Sequence, residues 1–278
     1  HHEFSSNRTN PQPMDIVTQG IIGAAIPLAT QRKKQAVTAA VIGFLAGMAP
    51  DLDVLIRSSE DTLIFLEFHR HFTHSLLFIP FGSAAVAGII YGLGRRKINL
   101  TIWKIWFFCA LGYGSHGLLD AATSFGTYLF WPLSDTRISL SIISIIDPLF
   151  TLPMFALVGV GVCKGDGRYG KAALIWAFIY LATAGLQHLQ ARNMAKMLAK
   201  SRGHEATRLV VKPTFGNTLL WRSIYAFDGR FYVDGVRPWP YRKLFEGTSI
   251  ATLNPAQDFP WLEHGSTQAL DVDRFTQL

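Results

Sequence analysis

Charge is what this 278-residue chain has least of: only 16% of its residues are Asp, Glu, Lys or Arg, against about 25% in an ordinary soluble domain. Apolar residues make up 49% of the chain and gather into long runs, which excludes a soluble core as their main destination and points to the bilayer. Cysteine is nearly absent. Cys109 and Cys163 both lie within apolar segments, so neither a disulfide framework nor a thiolate metal site follows. The signatures of nucleotide chemistry, a P-loop or a dinucleotide fingerprint, are missing, so no nucleotide cofactor is expected. Ser75, Ser115, Thr123 and Ser124 lie near histidines, but no nucleophile-elbow pattern supports metal-free serine catalysis. A basic n-region is also missing, since only Asp15 precedes the first apolar segment, and no cleavable signal peptide is expected. His1-His2-Glu3-Phe4 reads as the end of a purification tag, and Met14 as the native start.

Four runs are long enough to span a bilayer: Ser75–Leu93, Trp103–Leu119, Ile138–Cys163 and Ala172–Leu189. Two shorter ones, Ile16–Ala29 and Ala36–Ala49, reach only about 21 Å as helices and read as tilted spans or a re-entrant pair. Both are rich in Gly and Ala, which lets helix backbones approach closely. If all six cross, one side collects Arg32, Lys33, Lys34, Arg95, Arg96, Lys97, Lys104, Lys164, Arg168 and Lys171. The short loops opposite hold only Arg57, Arg70 and Arg137. This asymmetry accounts for most of the net charge of +7 without nucleic acid as a partner, and makes the basic side cytoplasmic. The C-terminal region then lies outside the cytoplasm.

The predicted architecture is an all-α polytopic membrane protein with a small, mainly β appendage. Residues 1–13 form a tail, 14–202 the membrane domain with Ala191–Arg202 extending its last helix, and 203–278 the appendage. Within the last, Asp228-Gly229 between the strand-like runs Leu219–Phe227 and Arg230–Val236 predicts a hairpin, and Arg208–Lys212 a further strand.

The informative residues are the ones costly to place at a membrane. Asp51 and Asp53 follow Pro50 at the end of the second run. His69, Arg70, His71, His74 and Ser75 sit at the start of the third. His116 and Asp120 end the fourth, four residues apart and therefore on one helical face. Asp147 falls inside the fifth, where it either joins them or caps a helix at Pro148. On the topology above, four separate pieces of chain bring ionisable groups to one side and one depth. Such groups in membrane helices are usually paired and functional. Imidazole nitrogen with carboxylate oxygen suits Zn²⁺, Mn²⁺ or Fe²⁺, with zinc the default. The surplus of candidates allows an open catalytic site of one or two ions.

Met14-Asp-Ile-Val-Thr-Gln-Gly20, Pro50-Asp-Leu-Asp53, His69-Arg-His-Phe-Thr-His-Ser75 and His116-Gly-Leu-Leu-Asp120 together resemble the predicted membrane-bound metal-dependent hydrolases of the YdjM-like, LexA-regulated group. Thr123-Ser-Phe-Gly-Thr127, Phe130-Trp-Pro132 and Asp147-Pro-Leu-Phe-Thr-Leu-Pro153 continue the likeness, which runs from Met14 to about residue 190. The resemblance implies a helical hydrolase of a bacterial inner membrane. Its divalent-metal ligands would come from Asp51, Asp53, His69, His74, His116 and Asp120. The chain departs from the pattern at Gln19, where many relatives have His, and at His71, where Gly is common.

The chemistry expected of such a site is hydrolysis of a membrane lipid, a phosphoester first and an acyl ester or amide second. Asp53 or Asp120 would act as general base, and Arg70 would pair with phosphate. His71, Ser75, Thr123 and Asp147 would support the ligands. The competing class is a metal-binding transporter or sensor. A transporter's ionisable groups are expected near the bilayer midplane rather than at segment ends.

Overall fold

The computed structural model describes residues 16–31, 35–56, 61, 63–94, 98–263 and 265–277. Residues 1–15, with the expected tag and Met14, and the basic residues Arg32, Lys33, Lys34, Arg57, Arg95, Arg96 and Lys97 lie outside the described residues. Two Gly/Ala-rich helices open the fold, α1 (Ile16–Thr30) and α2 (Ala36–Met48), the latter continuing as a 3-10 turn over Ala49–Leu55. Their contact is backbone to backbone. A Cβ on Gly43 would stand 2.2 Å from the Gly23 carbonyl oxygen, and one on Gly47 would stand 2.7 Å from that of Gln19. No larger residue fits either position, so the small-residue pattern sets the helix spacing.

After the short helix α3 (Ile64–Phe68) come α4 (Ile79–Gly94) and α5 (Ile102–Ala122). α5 is the central helix. Its Ile105, Phe108 and Cys109 pack with Ala39, Ile42 and Ala46 of α2 and Ala87 of α4. Its Leu119 and Ala122 join a second core with α1, α6 (Pro148–Lys164) and α7 (Gly167–Ser201).

Among the described residues, three segments are long and apolar enough to cross a membrane: Ala36–Leu55, Leu76–Gly94 and Gly167–Ser201. α1 and α6 are shorter apolar helices. The expected run Trp103–Leu119 does form a helix, α5, but buried His116 and Asp120 dilute its hydropathy. The expected span Ile138–Cys163 needs correction, because its first ten residues are not helical. Ile138–Ile146 alternates serine with β-branched isoleucine, a pattern that suits extended chain. It bridges back through Thr127↔Ile138 and Thr123↔Ile143. Helix α6 starts at Pro148, a residue favoured in the first turn because it lacks the amide proton that would go unused there.

Helix α7 runs 35 residues, about 52 Å, so its last part extends past the bundle as expected. Onto it docks an antiparallel sheet of β1 (Val210–Pro213), β2 (Trp221–Phe227), β3 (Arg230–Arg237) and β4 (Lys243–Ala251), in that order. Trp221, Val211 and Val236 pack on Ala191 and Ala195 of α7, and Arg202 grips Asp234 through two contacts of 2.8 and 2.9 Å. Asp228 (φ 46°) and Gly229 (φ 66°) make the expected two-residue hairpin, both residues left-handed. Two short helices follow, α8 (Pro255–Asp258) and α9 (Thr267–Gln277). β4 and α9 had no counterpart in the sequence reading.

Chain ends sort by charge. Lys164, Arg168 and Lys171 gather with Thr30 and Gln31 around one hollow. Lys104, at the start of α5, donates to Gln35 at the start of α2. The other ends of these helices carry Gln19, Asp51, His116 and Asp120. The sheet reaches that same end, where the Gly216 amide donates to Ser144 Oγ at 3.3 Å.

Candidate metal centre

Four side chains meet at that end. Asp51 comes from the 3-10 turn after α2, His74 from a 3-10 turn before α4 (Phe72–His74), and His116 and Asp120 from α5. All four are buried, and one ligand atom from each lies within 4.8 Å of the others. His116 Nε2 stands 3.3 Å from Asp51 Oδ1 and 3.7 Å from Asp120 Oδ2. His74 Nε2 stands 3.6 and 3.3 Å from the same two oxygens. Ligands at about 2.0–2.1 Å from a tetrahedral ion sit about 3.4 Å apart, so these edges suit a small divalent cation.

The same atoms lack hydrogen bonds. His74 Nε2, His116 Nε2, Asp120 Oδ2 and both Asp51 oxygens are buried without a hydrogen-bonding partner. Buried polar atoms are rarely left so. Their other atoms, by contrast, are fixed. His116 Nδ1 donates to the Gly47 carbonyl at 2.6 Å, which turns the lone pair of Nε2 towards the group. Gly112 permits that contact, since a Cβ there would stand 2.4 Å from the Gly43 oxygen. His74 Nδ1 lies 2.9 Å from Thr73 Oγ1, which donates to Asp53 Oδ2 at 2.9 Å. Asp120 Oδ1 accepts from Gln19 Nε2 at 2.7 Å. These residues can hold a metal ion.

His74, which lies in the turn between spans, has its pKa pushed up to about 9. Burial opposes the charge, but the Asp120 and Asp51 carboxylates outweigh it.

The remaining expected site residues fall around this group. Asp53 uses its oxygens on His69 Nδ1 at 2.8 Å, the Arg70 amide at 2.9 Å and Thr73, and so forms a layer behind His74. His69 is held with it. Arg70 Nε faces Asp120 Oδ2 at 3.2 Å. His71 packs on Tyr128 and Trp131 instead, with ring centroids 4.8 and 5.5 Å away.

Ser75 Oγ donates to the Phe72 carbonyl and Thr123 Oγ1 to that of Asp120, so both serve turns. Asp147 is not inside a helix as expected but at the N-cap of α6. There it accepts from the Leu149 and Phe150 amides and from the Tyr180 hydroxyl at 2.7 Å, the alternative the sequence left open. Thr73 was missed, since a threonine between two histidines carries no signal of its own. Gln19 stood out only as a departure from the family pattern.

Among known proteins, the uncharacterized protein YfhP of Bacillus subtilis (strain 168) is 25% identical over 198 residues, 70% of this chain and 58% of that protein. The inner membrane protein YbcI of Escherichia coli (strain K12) is 34% identical over 97 residues, 34% of this chain and 54% of that one. The chain thus spans little more than half the length of these curated relatives. No solved structure matches it. The model of the YdjM inner membrane protein family matches residues 14–191, the stretch that supplies every ligand atom of the buried group, and the chain belongs to that family.

Proposed function

We propose that this chain is a metal-dependent hydrolase of the inner membrane that cleaves a lipid-type ester, a phosphoester before an acyl ester or amide. One observation carries the reading: four buried ligand atoms lie within 4.8 Å of one another, 3.3–3.7 Å apart wherever a histidine meets a carboxylate. Two nitrogens and two carboxylate oxygens favour zinc over magnesium or calcium, with manganese and iron next. A divalent ion held there lowers the pKa of water and polarises an ester oxygen.

The chain's own residues supply the rest. Asp53 engages its partners too fully to take a proton itself, so the base is His69, oriented by the 2.8 Å contact from Asp53 to its Nδ1. Arg70, beside Asp120, faces the negative charge that develops on a phosphoryl or acyl oxygen.

Full burial of all four ligands favours a second reading, a metal-binding transporter or sensor, because a catalytic ion keeps one position for water. Purified protein incubated with a bacterial lipid extract, with metal or with chelator, separates the two. A head group or acyl chain released only with metal is the expected result. Metal flux into liposomes without any lipid product would establish the alternative.

Two further outcomes follow. His74 loses a proton when it binds metal, so affinity should rise with pH and level off near 9. The raised pKa has the opposite effect on the metal-free protein. That stabilisation is complete below about 6.5 and is lost as pH rises through about 9. Metal titrations and thermal melts at several pH values check both signs; a pH-independent affinity would remove His74 from the ligand set. We also place the site and sheet outside the cytoplasm, from the excess of Lys and Arg at the opposite end. A reporter active only in the cytoplasm, fused after Leu278, should be silent; a strong signal reverses the orientation.

A further inference from the structure

Beyond the four ligand atoms, buried side-chain nitrogens without hydrogen-bonding partners gather, among the described residues, in one other place. Arg70 Nε and Nη1, His71 Nδ1, and Arg137 Nε and Nη2 are all buried and lack a hydrogen bond. The three residues come from two pieces of chain, the turn before α4 and the irregular segment between α5 and α6. Phe125 joins them: its ring centroid is 4.9 Å from the Arg70 guanidinium carbon and 4.5 Å from that of Arg137. Tyr128 links the other pair, 5.0 Å from Arg137 and 4.8 Å from the His71 ring.

The Arg70 guanidinium is not free to withdraw. Arg70 is 2% exposed, and its backbone is pinned on both sides. Its amide donates to Asp53, while its carbonyl accepts from Thr127 Oγ1 at 2.9 Å and the Tyr128 amide at 3.3 Å. It holds a left-handed φ of 63°, costly for a residue with a Cβ. Arg137, outside the spans, is held below its ordinary pKa by burial, with the Tyr128 phenol opposing and the Arg70 charge adding to the effect. Aromatic faces attract these cations but offer no acceptor for their N–H groups; the Tyr128 hydroxyl is an acceptor within reach of Arg137. The carboxylates in reach are Asp120, which Arg70 Nε faces at 3.2 Å, and Asp135, whose charge acts on His71. With a divalent ion bound, the two arginines and the ion would balance the charge of Asp51, Asp53, Asp120 and Asp135.

We propose that Arg70, Arg137 and His71 bind a phosphoryl group beside the metal centre, which makes the substrate a phosphate ester. The assignment rests on the hydrolase reading above and narrows it. A carboxylate has two oxygens and is filled by one guanidinium fork. Two forks and an imidazole call for an anion with three or more acceptor oxygens. The position next to Asp120 brings that anion within reach of the metal ligands.

Calorimetric titration of the metal-loaded protein in detergent tests this, with inorganic phosphate and dihexanoyl phosphatidic acid as separate probes. Both should bind, and Arg137→Gln should weaken both about tenfold or more while metal content stays unchanged. Arg137→Lys keeps the charge without the fork and should remain severalfold weaker; it gives the reading if the Gln variant does not fold. Tighter binding of phosphatidic acid than of phosphate assigns the site to a lipid head group, and equal binding assigns it to a soluble phosphate ester. No binding of either probe to the unaltered protein, or binding unchanged in both variants, overturns the proposal. Arg137-dependent binding without lipid hydrolysis would sink the lipid-hydrolase reading and leave the phosphoryl site standing. Hydrolysis with Arg137-independent binding would do the reverse.

Discussion

Replacing His116 by alanine should strip most of the metal from the purified protein, with an affinity loss of at least about tenfold. Changes to residues that only orient ligands cost roughly 10–100-fold in metal binding, and His116 supplies a ligand atom itself. Its Nε2 lies within 3.7 Å of two other ligand atoms, so no neighbour replaces it. The substitution also removes the 2.6 Å bond to the Gly47 carbonyl, which helps fasten α5 to α2. His116→Gln separates the two losses, since it can keep a hydrogen-bonding side chain while losing imidazole. Elemental analysis of each variant beside a thermal melt gives the answer. His71→Gly should leave metal content nearly intact, because His71 packs on Tyr128 and Trp131 and not on the ligand group. Unchanged metal in well-folded His116→Ala would make the histidine a structural member of the bundle.

The membrane helices and the central pair of the site were legible for a physical reason. Apolar runs report directly on lipid exposure, and His116 with Asp120 obeys the helical spacing that places two residues on one face. Segment ends carrying Asp51 and His74 could be read to the same depth, since depth follows from counting crossings. What could not be read is which residue stands in front. Asp51 and Asp53 are two apart in sequence, and nothing in composition tells that Asp51 faces the other ligands while Asp53 turns to His69, Arg70 and Thr73. A 3-10 turn sets that difference. Ile138–Ile146 misled because hydropathy sums apolar content without regard to period, and only the alternation with serine hinted at extended chain. β4 was hidden because nearly all of it is exposed, with Lys243, Glu246 and Gly247 breaking the apolar pattern.

Asp120→Asn should abolish metal-dependent lipid hydrolysis, a loss of at least about a hundredfold, within the range removed with a catalytic proton-transfer or electrostatic group. The substitution keeps size and shape but removes the negative charge from the one residue on which the site converges. Asp120 Oδ1 accepts from Gln19 Nε2 at 2.7 Å, Oδ2 stands 3.3 Å from His74 Nε2, and Arg70 Nε approaches Oδ2 at 3.2 Å. An amide cannot satisfy all three. With its oxygen kept on Gln19, its NH₂ faces the Arg70 guanidinium, donor against donor. With the amide reversed, it faces the Gln19 NH₂ instead. Either way Arg70 loses its buried counter-charge, and an unpaired buried charge of this kind costs about 3–5 kcal/mol. Stability must therefore be measured beside activity. A variant that melts lower and carries no metal has lost the fold of the site, and says little about chemistry. Gln19→Glu combined with Asp120→Asn resolves this, since it returns one carboxylate to the pair without restoring the ligand oxygen at position 120. If the double variant recovers stability but not lipid cleavage, charge at Asp120 serves the reaction itself. Full hydrolysis by the well-folded single variant, with metal and across several lipids, would remove Asp120 from the site.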